Sequence, residues 1–138
     1  MPGVAILLPV FVQVALTFTL LVWMGYLRIR TLRVGMLRVG DIALGEPKWP
    51  IEARKVQNSF HNQFELPLLF YALVALALIT RQATTLLTIL CWLFVISRVI
   101  HAVIHTTTNH VPSRFSAYVF GLTALIAMWV WFAARVIA

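Results

Sequence analysis

Residues 62–67 read NQFELP and lie near the start of an apolar run, Phe60–Thr80, that is long enough to cross a lipid bilayer. An amide, a carboxylate and a proline are thus embedded in an otherwise apolar segment. An ionisable side chain in a membrane helix is energetically costly, so it usually faces the interior of a helix bundle and has a function. Glu65 is therefore a candidate functional residue. Pro67 cannot donate a backbone hydrogen bond, and it predicts a kink that frees the carbonyl of Gln63.

The rest of the chain has the composition of a membrane protein. Of its 138 residues, 62% are hydrophobic and 11% are charged, whereas about a quarter of the residues of a soluble domain are charged. The other long apolar runs are Val4–Leu27, Thr84–Val103 and Ser116–Ile137. These features predict one all-α domain, residues 1–138, folded as an integral membrane four-helix bundle. The expected helices are roughly residues 4–27, 52–80, 84–109 and 115–137, with a loop at 28–51.

The formal net charge of +7 is unevenly distributed and predicts the orientation in the membrane. Most of the lysines and arginines lie between the first two apolar runs: Arg28, Arg30, Arg33, Arg38, Lys48, Arg54 and Lys55. Arg114 lies on the same side, while Arg81 and Arg135 lie on the other. The positive-inside rule places the first and third connections in the cytoplasm and both termini outside. The basic loop would also attract anionic membrane lipids. No basic-aromatic module stands apart from the membrane segments, so a nucleic-acid partner is not expected.

Polar residues form two stripes that an antiparallel helix pair would bring together. The first stripe spans about a quarter-turn of the second helix, and the second occupies one face of the third helix. The members are Arg54, Asn58, His61, Asn62 and Glu65 in the first stripe, and Arg98, His101, His105 and Asn109 in the second. Their convergence predicts a site for a polar, anionic ligand. The loop 28–51 contains glycines and prolines, and it would either fold over this site or act as a flexible linker.

Individual residues of the stripes allow more than one interpretation. Glu65 would anchor the ammonium group of a ligand or pair with Arg98, and Arg98 would bind a carboxylate, stabilise a thiolate or form that same ion pair. His101 and His105 have a spacing that can hold a metal, but histidines hydrogen-bonded within the bundle have the same spacing, and no metal is expected. An oligomeric channel or exchanger is a competing function, although the polar residues are confined to one half of the bundle.

The stretch from Arg54 to Leu73, the segment Arg98–Arg114 and the basic first loop resemble the MAPEG family, the membrane-associated proteins of eicosanoid and glutathione metabolism. The resemblance covers essentially the whole chain and is greatest to a bacterial branch. It implies a homotrimer of four-helix bundles, with glutathione bound between neighbouring subunits at the cytoplasmic end. In a bacterium, this membrane would be the inner membrane, with both termini in the periplasm.

The resemblance also assigns roles to residues. It implies that Arg28, Asn62, Glu65, Arg98 and His101 hold the polar groups of glutathione, and that Arg114 stabilises the thiolate. Some positions depart from the pattern of the eicosanoid enzymes: His61 stands where they usually have arginine, His105 where they have a tyrosine that contacts glutathione, and Phe115 where one prostaglandin synthase has a serine.

These observations predict a glutathione-dependent membrane transferase or peroxidase that acts on a lipophilic electrophile. Arg54, Asn58, His61 and His105 complete the predicted glutathione-binding set, with Arg114 as the catalytic residue. The alternative is a non-enzymatic membrane protein of the same fold that binds lipid or a larger membrane complex.

Overall fold

The computed structural model describes residues 2–43 and 48–137, which are predominantly helical and contain no strand. The α-helices are α1 (Pro2–Ala5), α2 (Leu7–Arg33), α3 (Ile51–His61), α4 (Leu66–Ile79), α5 (Thr85–Thr106) and α6 (Val111–Ile137). Short 3-10 helices occur at Val39–Ile42 and Asn62–Phe64. The prediction of an all-α membrane bundle is confirmed. Residues 44–47 of the predicted loop lie outside the described residues.

Four helical segments in the described ranges are long and apolar enough to span a membrane. They are α2, α3 with α4, α5 and α6, and the mean hydropathy of their most apolar windows lies between 1.6 and 2.2. Much of their apolar surface points outward, as for Val22, which is 71% exposed, and Ile79, which is 78% exposed. Such a surface is suited to lipid, in which exposed apolar side chains carry no penalty.

The first spanning helix ends at Arg33 rather than at the predicted Leu27, so Arg28 lies inside it. Cations in the last turn of a helix interact favourably with the helix dipole, and long arginine side chains reach the membrane interface. Gly35 then terminates the helix with a left-handed backbone, φ 73°, a conformation that glycine adopts without steric cost. The first connection is correspondingly shorter than predicted.

The second predicted helix is interrupted rather than simply kinked. α3 and α4 are separated by the 3-10 turn Asn62–Phe64 and by Glu65, whose φ of −93° and ψ of −103° lie outside the helical region. Pro67 is in the first turn of α4, where the missing N–H would have had no partner within the helix. The proline therefore starts a new helix instead of bending a continuous one.

The third connection is also displaced from its predicted position. α5 ends at Thr106 instead of residue 109, and Asn109 has a left-handed φ of 52°. α6 begins at Val111 instead of residue 115. Pro112 lies in the first turn of α6, so it starts the fourth helix rather than ending the third, and Arg114 belongs to a helix rather than to a loop.

Two apolar clusters hold the bundle together. The larger joins α4, α5 and α6, and its centre contains Phe70 stacked on Phe94 with ring centroids 4.9 Å apart. Cys91 is buried in this cluster, where its thiol packs as a small apolar side chain. Gly121 lets α6 approach α5 closely, because a Cβ at this position would collide with the side chain of Ser97. The smaller cluster joins α2, α3 and α5 and consists of Leu20, Met24, Val56 and Ala102.

Candidate functional site

A cavity of about 330 Å³ lies at the end of the bundle where α3 and α6 begin. Side chains from α3, the 3-10 turn, α5 and α6 line it. They are Asn58, Asn62, His101, His105, Val111, Arg114, Phe115 and Tyr118. The structure therefore brings the two predicted polar stripes together, and the volume is in the range of small-molecule sites.

A second recess of about 200 Å³ adjoins this cavity. The two share Asn58, His105 and Arg114, and Arg54 is among the further residues that line the recess. Lys55 also lines it, but its Nζ is engaged by the carbonyl of Thr107 at 3.1 Å. The combined site carries more positive than negative charge along its walls, which favours an anionic ligand.

Arg98 lies behind the cavity wall and is fully buried. Its Nη2 donates to the backbone carbonyl of Asn62 at 3.1 Å, and its guanidinium lies 5.7 Å from the centroid of the Tyr118 ring. The Nε and Nη1 atoms have no hydrogen-bond partner among the described residues. A buried cation with unmet donors is costly, so Arg98 is placed to hold the interrupted second span rather than to contribute net stability.

The side-chain amide of Asn62 lies between Glu65 and His105. One end is 3.0 Å from both carboxylate oxygens of Glu65, and the other is 3.4 Å from Nδ1 of His105. Because an ionised carboxylate can only accept hydrogen bonds, the amide nitrogen must face Glu65 and donate to it. The amide oxygen then faces His105 and accepts from its Nδ1–H. These contacts join the carboxylate to the imidazole through one amide.

Arg114 projects from the first turns of α6 towards both histidines. Its Nη1 donates to Oδ1 of Asn109 at 2.6 Å. The charges of Arg114 and Arg98 both act electrostatically on His101 and His105. The predicted catalytic arginine is therefore held on the cavity wall by a neutral partner, which leaves its positive charge available to a ligand.

Four predicted ligand residues line neither cavity of this single chain: Glu65 and Arg98, which contact Asn62, and Arg28 and His61. Arg28 donates from Nη2 to Oε1 of Gln57 at 2.8 Å, and its guanidinium lies 5.1 Å from the ring centroid of Trp49. These contacts attach the end of the first connection to α2 and α3. His61 is exposed and its ring lies 6.0 Å from that of Phe60.

The predicted ion pair between Glu65 and Arg98 is not formed. No Arg98 nitrogen lies within 4.0 Å of the Glu65 carboxylate in the residues that the structure describes. Both residues instead contact Asn62, one through its side chain and one through its carbonyl. The interruption of the helix turns the backbone between residues 62 and 65, so these two charges engage different atoms of the same asparagine.

Some features of the site were missed at the level of sequence. Tyr118 lines the cavity, and its ring centroid lies 5.7 Å from the Arg98 guanidinium, although Tyr118 was not among the predicted site residues. Gln13 and Gln63 form a buried hydrogen bond of 2.8 Å, which ties α2 to the interruption of the second span. The position of Tyr118 could have been predicted from the sequence. Pro112 is a signal for the start of a helix, and in a helix that starts there Arg114, Phe115 and Tyr118 lie on one face.

The histidine pair does not extend to a metal centre in the described residues. The rings of His101 and His105 are 5.6 Å apart and nearly perpendicular. No group of three or more His, Cys, Asp or Glu side chains in residues 2–43 and 48–137 could hold a metal ion. The two rings thus act as parts of a polar cavity wall in this chain.

Four spanning segments in residues 2–43 and 48–137, an interrupted second span and a polar cavity at one end define an integral membrane protein. The sequence model of the MAPEG family matches residues 6–134, and the chain belongs to this family. The resemblance seen in the sequence is thereby confirmed. The family includes glutathione-dependent transferases and peroxidases. Neither curated proteins nor solved structures give a match to the chain.

Proposed function

We propose that this protein is a glutathione-dependent membrane transferase or peroxidase that acts on a lipophilic electrophile. The observation that carries the proposal is the polar cavity lined by Asn58, Asn62, His101, His105 and Arg114, in a chain of the MAPEG family. A small anionic peptide needs cationic and amide partners, and this end of the bundle supplies both.

The residues around the cavity fit the polar groups of glutathione. Arg114 and Arg54 are suited to its carboxylates, and Asn58 is suited to its peptide groups. Glu65 is exposed next to the cavity, and its carboxylate has lone pairs left for the ammonium group after accepting from Asn62. A site with this donor set binds the tripeptide and orients its thiol towards the histidines.

Other predicted ligands take different roles in the proposal. Arg98 positions the Asn62 backbone from behind the wall and does not itself reach the ligand. His101 lines the cavity and contacts the ligand directly. Arg28 and His61 lie away from the cavity of one chain, and they contribute to binding only in the proposed homotrimer, where the site lies between neighbouring subunits.

Arg114 supplies the electrostatic part of the chemistry. A nearby positive charge lowers the pKa of a thiol, and the thiolate is the reactive nucleophile. In conjugation, the sulfur forms a bond to an electrophilic carbon of the acceptor, and either a leaving group departs with its bonding electron pair or a multiple bond of the acceptor opens and takes up the thiol proton. In peroxide reduction, two glutathione thiols are oxidised to a disulfide while the peroxide is reduced to an alcohol and water. The apolar outer surface allows a lipophilic acceptor to arrive from the bilayer.

The proposed location follows from the distribution of charge. The end of the bundle with the cavity carries Arg54, Lys55 and Arg114, and Arg81 and Arg135 lie towards the opposite end. By the positive-inside rule, the site faces the cytoplasm. We place the protein in a bacterial inner membrane with both termini in the periplasm.

Isothermal titration of glutathione into the detergent-purified protein tests the proposal. Arg114→Gln removes a charged hydrogen-bonding group worth about 1.5–3 kcal/mol, so we expect its Kd for glutathione to rise by about 10–100-fold. Arg135→Gln is the matched control, because Arg135 lies at the far end of α6 against Trp131. The control should bind glutathione as the unaltered protein does.

Failure of the unaltered protein to bind millimolar glutathione would overturn the proposal. Lipid or a fixed membrane partner would then be the ligand, and purification with such a partner and without glutathione turnover would support the non-enzymatic alternative. Equal binding by Arg114→Gln and Arg135→Gln would leave glutathione as the ligand but remove Arg114 from the site.

A further inference from the structure

His105 is oriented by two successive hydrogen bonds in the way that suits a proton acceptor. The Glu65 carboxylate accepts from the Asn62 amide, and the amide oxygen accepts from Nδ1–H of His105. Once Nδ1 carries the proton, Nε2 of the neutral imidazole carries a lone pair. The ring lines both the main cavity and the adjoining recess, so a base is presented where the two meet.

The neighbouring histidine lacks this arrangement. Nδ1 of His101 is buried and has no hydrogen-bond partner among the described residues. Nothing therefore selects one tautomer of His101 or stabilises an added positive charge on its ring. The two histidines line the same cavity, but only His105 is oriented by a carboxylate acting through an amide. A base whose ring is oriented by a third group is the arrangement that activates nucleophiles in enzymes.

We propose that Nε2 of His105 accepts the thiol proton of bound glutathione, and that Asn62 and Glu65 are positioning residues for its ring. In this step the S–H bond breaks, its electron pair stays on sulfur, and the proton forms an N–H bond on the imidazole. The products are a thiolate and an imidazolium. The thiolate itself and, through Asn62, the Glu65 carboxylate compensate the new positive charge, which the nearby Arg98 and Arg114 oppose. Arg114 also stabilises the thiolate. The inference rests on the proposed function and adds to it the group that removes the proton.

Charged and titratable groups surround His105 on each packed element. They are Arg98 and His101 on α5, Arg114 on α6, Arg54 and Lys55 on α3, and Glu65 beyond Asn62. The test therefore changes His105 alone and leaves this set intact.

The first experiment follows the thiolate absorbance of bound glutathione against pH, with affinity measured by titration calorimetry on the same samples. We expect the unaltered protein to show the thiolate at pH 7. His105→Gln should keep its Kd within about threefold, because an amide can replace the hydrogen bond to Asn62. It should show the thiolate only at a higher pH than the unaltered protein does, although still below the ordinary thiol pKa of about 8.5, because Arg114 continues to lower the pKa of the thiol. His110→Gln is the matched control, because His110 is exposed outside both cavities with its Nδ1 2.8 Å from Oγ of Ser113, and it should retain the thiolate at pH 7.

The outcomes separate the inference from the function on which it rests. Glutathione binding by His105→Gln with an unchanged thiolate titration would overturn the role of His105 and leave the proposed function standing. Binding without thiolate in the unaltered protein would also overturn the inference, while glutathione would remain the ligand. Absence of binding in the unaltered protein would overturn both.

A second measurement uses the unaltered protein and so does not depend on the folding of a variant. Nitrogen NMR of 15N-histidine-labelled protein distinguishes the two neutral tautomers from the imidazolium, and sequential backbone assignment of the labelled protein identifies the His105 signals without a variant. We expect His105 to be protonated on Nδ1 alone without ligand and on both nitrogens when glutathione is bound. A ring that stays neutral in the complex would refute the proton transfer.

Discussion

Phe94 and Arg98 lie one turn apart on α5, and both side chains are completely buried, yet their surroundings differ. Phe94 stacks on Phe70 within the larger apolar cluster. Arg98 donates one hydrogen bond, to the carbonyl of Asn62, and two of its guanidinium nitrogens, Nε and Nη1, have no hydrogen-bond partner among the described residues. Burial of an aromatic ring stabilises a bundle, whereas burial of an incompletely paired cation does not. The half of the bundle around Phe94 thus supplies stability, whereas the half around Arg98 retains a costly group whose proposed role is to position Asn62.

The largest expected effect on stability comes from breaking the apolar half. Phe94→Ala removes a stacked ring from a filled core, and we expect it to lower the free energy of unfolding by about 3–5 kcal/mol. Denaturation in detergent, monitored by circular dichroism, measures this change. Ile96→Ala is the control on the lipid-facing side of the same helix, where the side chain is 50% exposed. Loss of glutathione affinity by the folded Phe94→Ala protein would contradict the separation of the two halves.

A smaller effect is expected at the boundary between the halves. Gln13→Leu leaves Oε1 of Gln63 without its donor, and a buried unsatisfied acceptor costs about 1–3 kcal/mol. The double variant Gln13→Leu/Gln63→Leu should recover part of this loss, because replacing both partners by apolar groups is nearly neutral. Unfolding of the single and double variants forms a double-mutant cycle. If the double variant lost as much free energy of unfolding as Gln13→Leu and Gln63→Leu lose together, the two amides would not be interacting.

The smallest expected change in the free energy of unfolding comes from Arg98→Met, although this substitution should clearly weaken the binding of glutathione. Methionine fills much of the same volume without a desolvated charge, so the free energy of unfolding should stay within about 1 kcal/mol or rise. The Asn62 carbonyl loses its anchor, and we expect glutathione affinity to fall by about tenfold, equivalent to one charged hydrogen bond. Strong destabilisation with intact binding would assign Arg98 to the stabilising half and refute its positioning role.

Much of this site follows from helical periodicity. Asn58 on α3 and His101 and His105 on α5 meet in the cavity as the two stripes predict. Arg54 lines only the adjoining recess, and His61 is exposed and lines neither cavity. The predicted stripe is wider than the part of the helix that faces the cavity, so residues at its edges do not reach the cavity. Arg28 was placed at a helix end, but α2 continues past it and its guanidinium contacts Gln57 and Trp49.

The break in the second span accounts for most of what periodicity could not predict. A continuous helix would keep Asn62 and Glu65 on one face, where Glu65 would pair with Arg98. The interruption after Phe64 instead places Asn62 between three groups, with its carbonyl towards Arg98 and its amide between Glu65 and His105. Proline marks such a break, but it does not specify the direction in which the chain turns.

The sequence by itself determined the membrane class, the four spans, the family and the end of the bundle that carries the polar residues. Hydropathy and charge act locally along the chain, so they can be read without knowing how the helices pack. Only the tertiary structure decided which polar side chains line the cavity, that Tyr118 joins them and that Asn62 connects Glu65 to His105. These features depend on the rotation and separation of helices distant in sequence, and contacts between such helices set them.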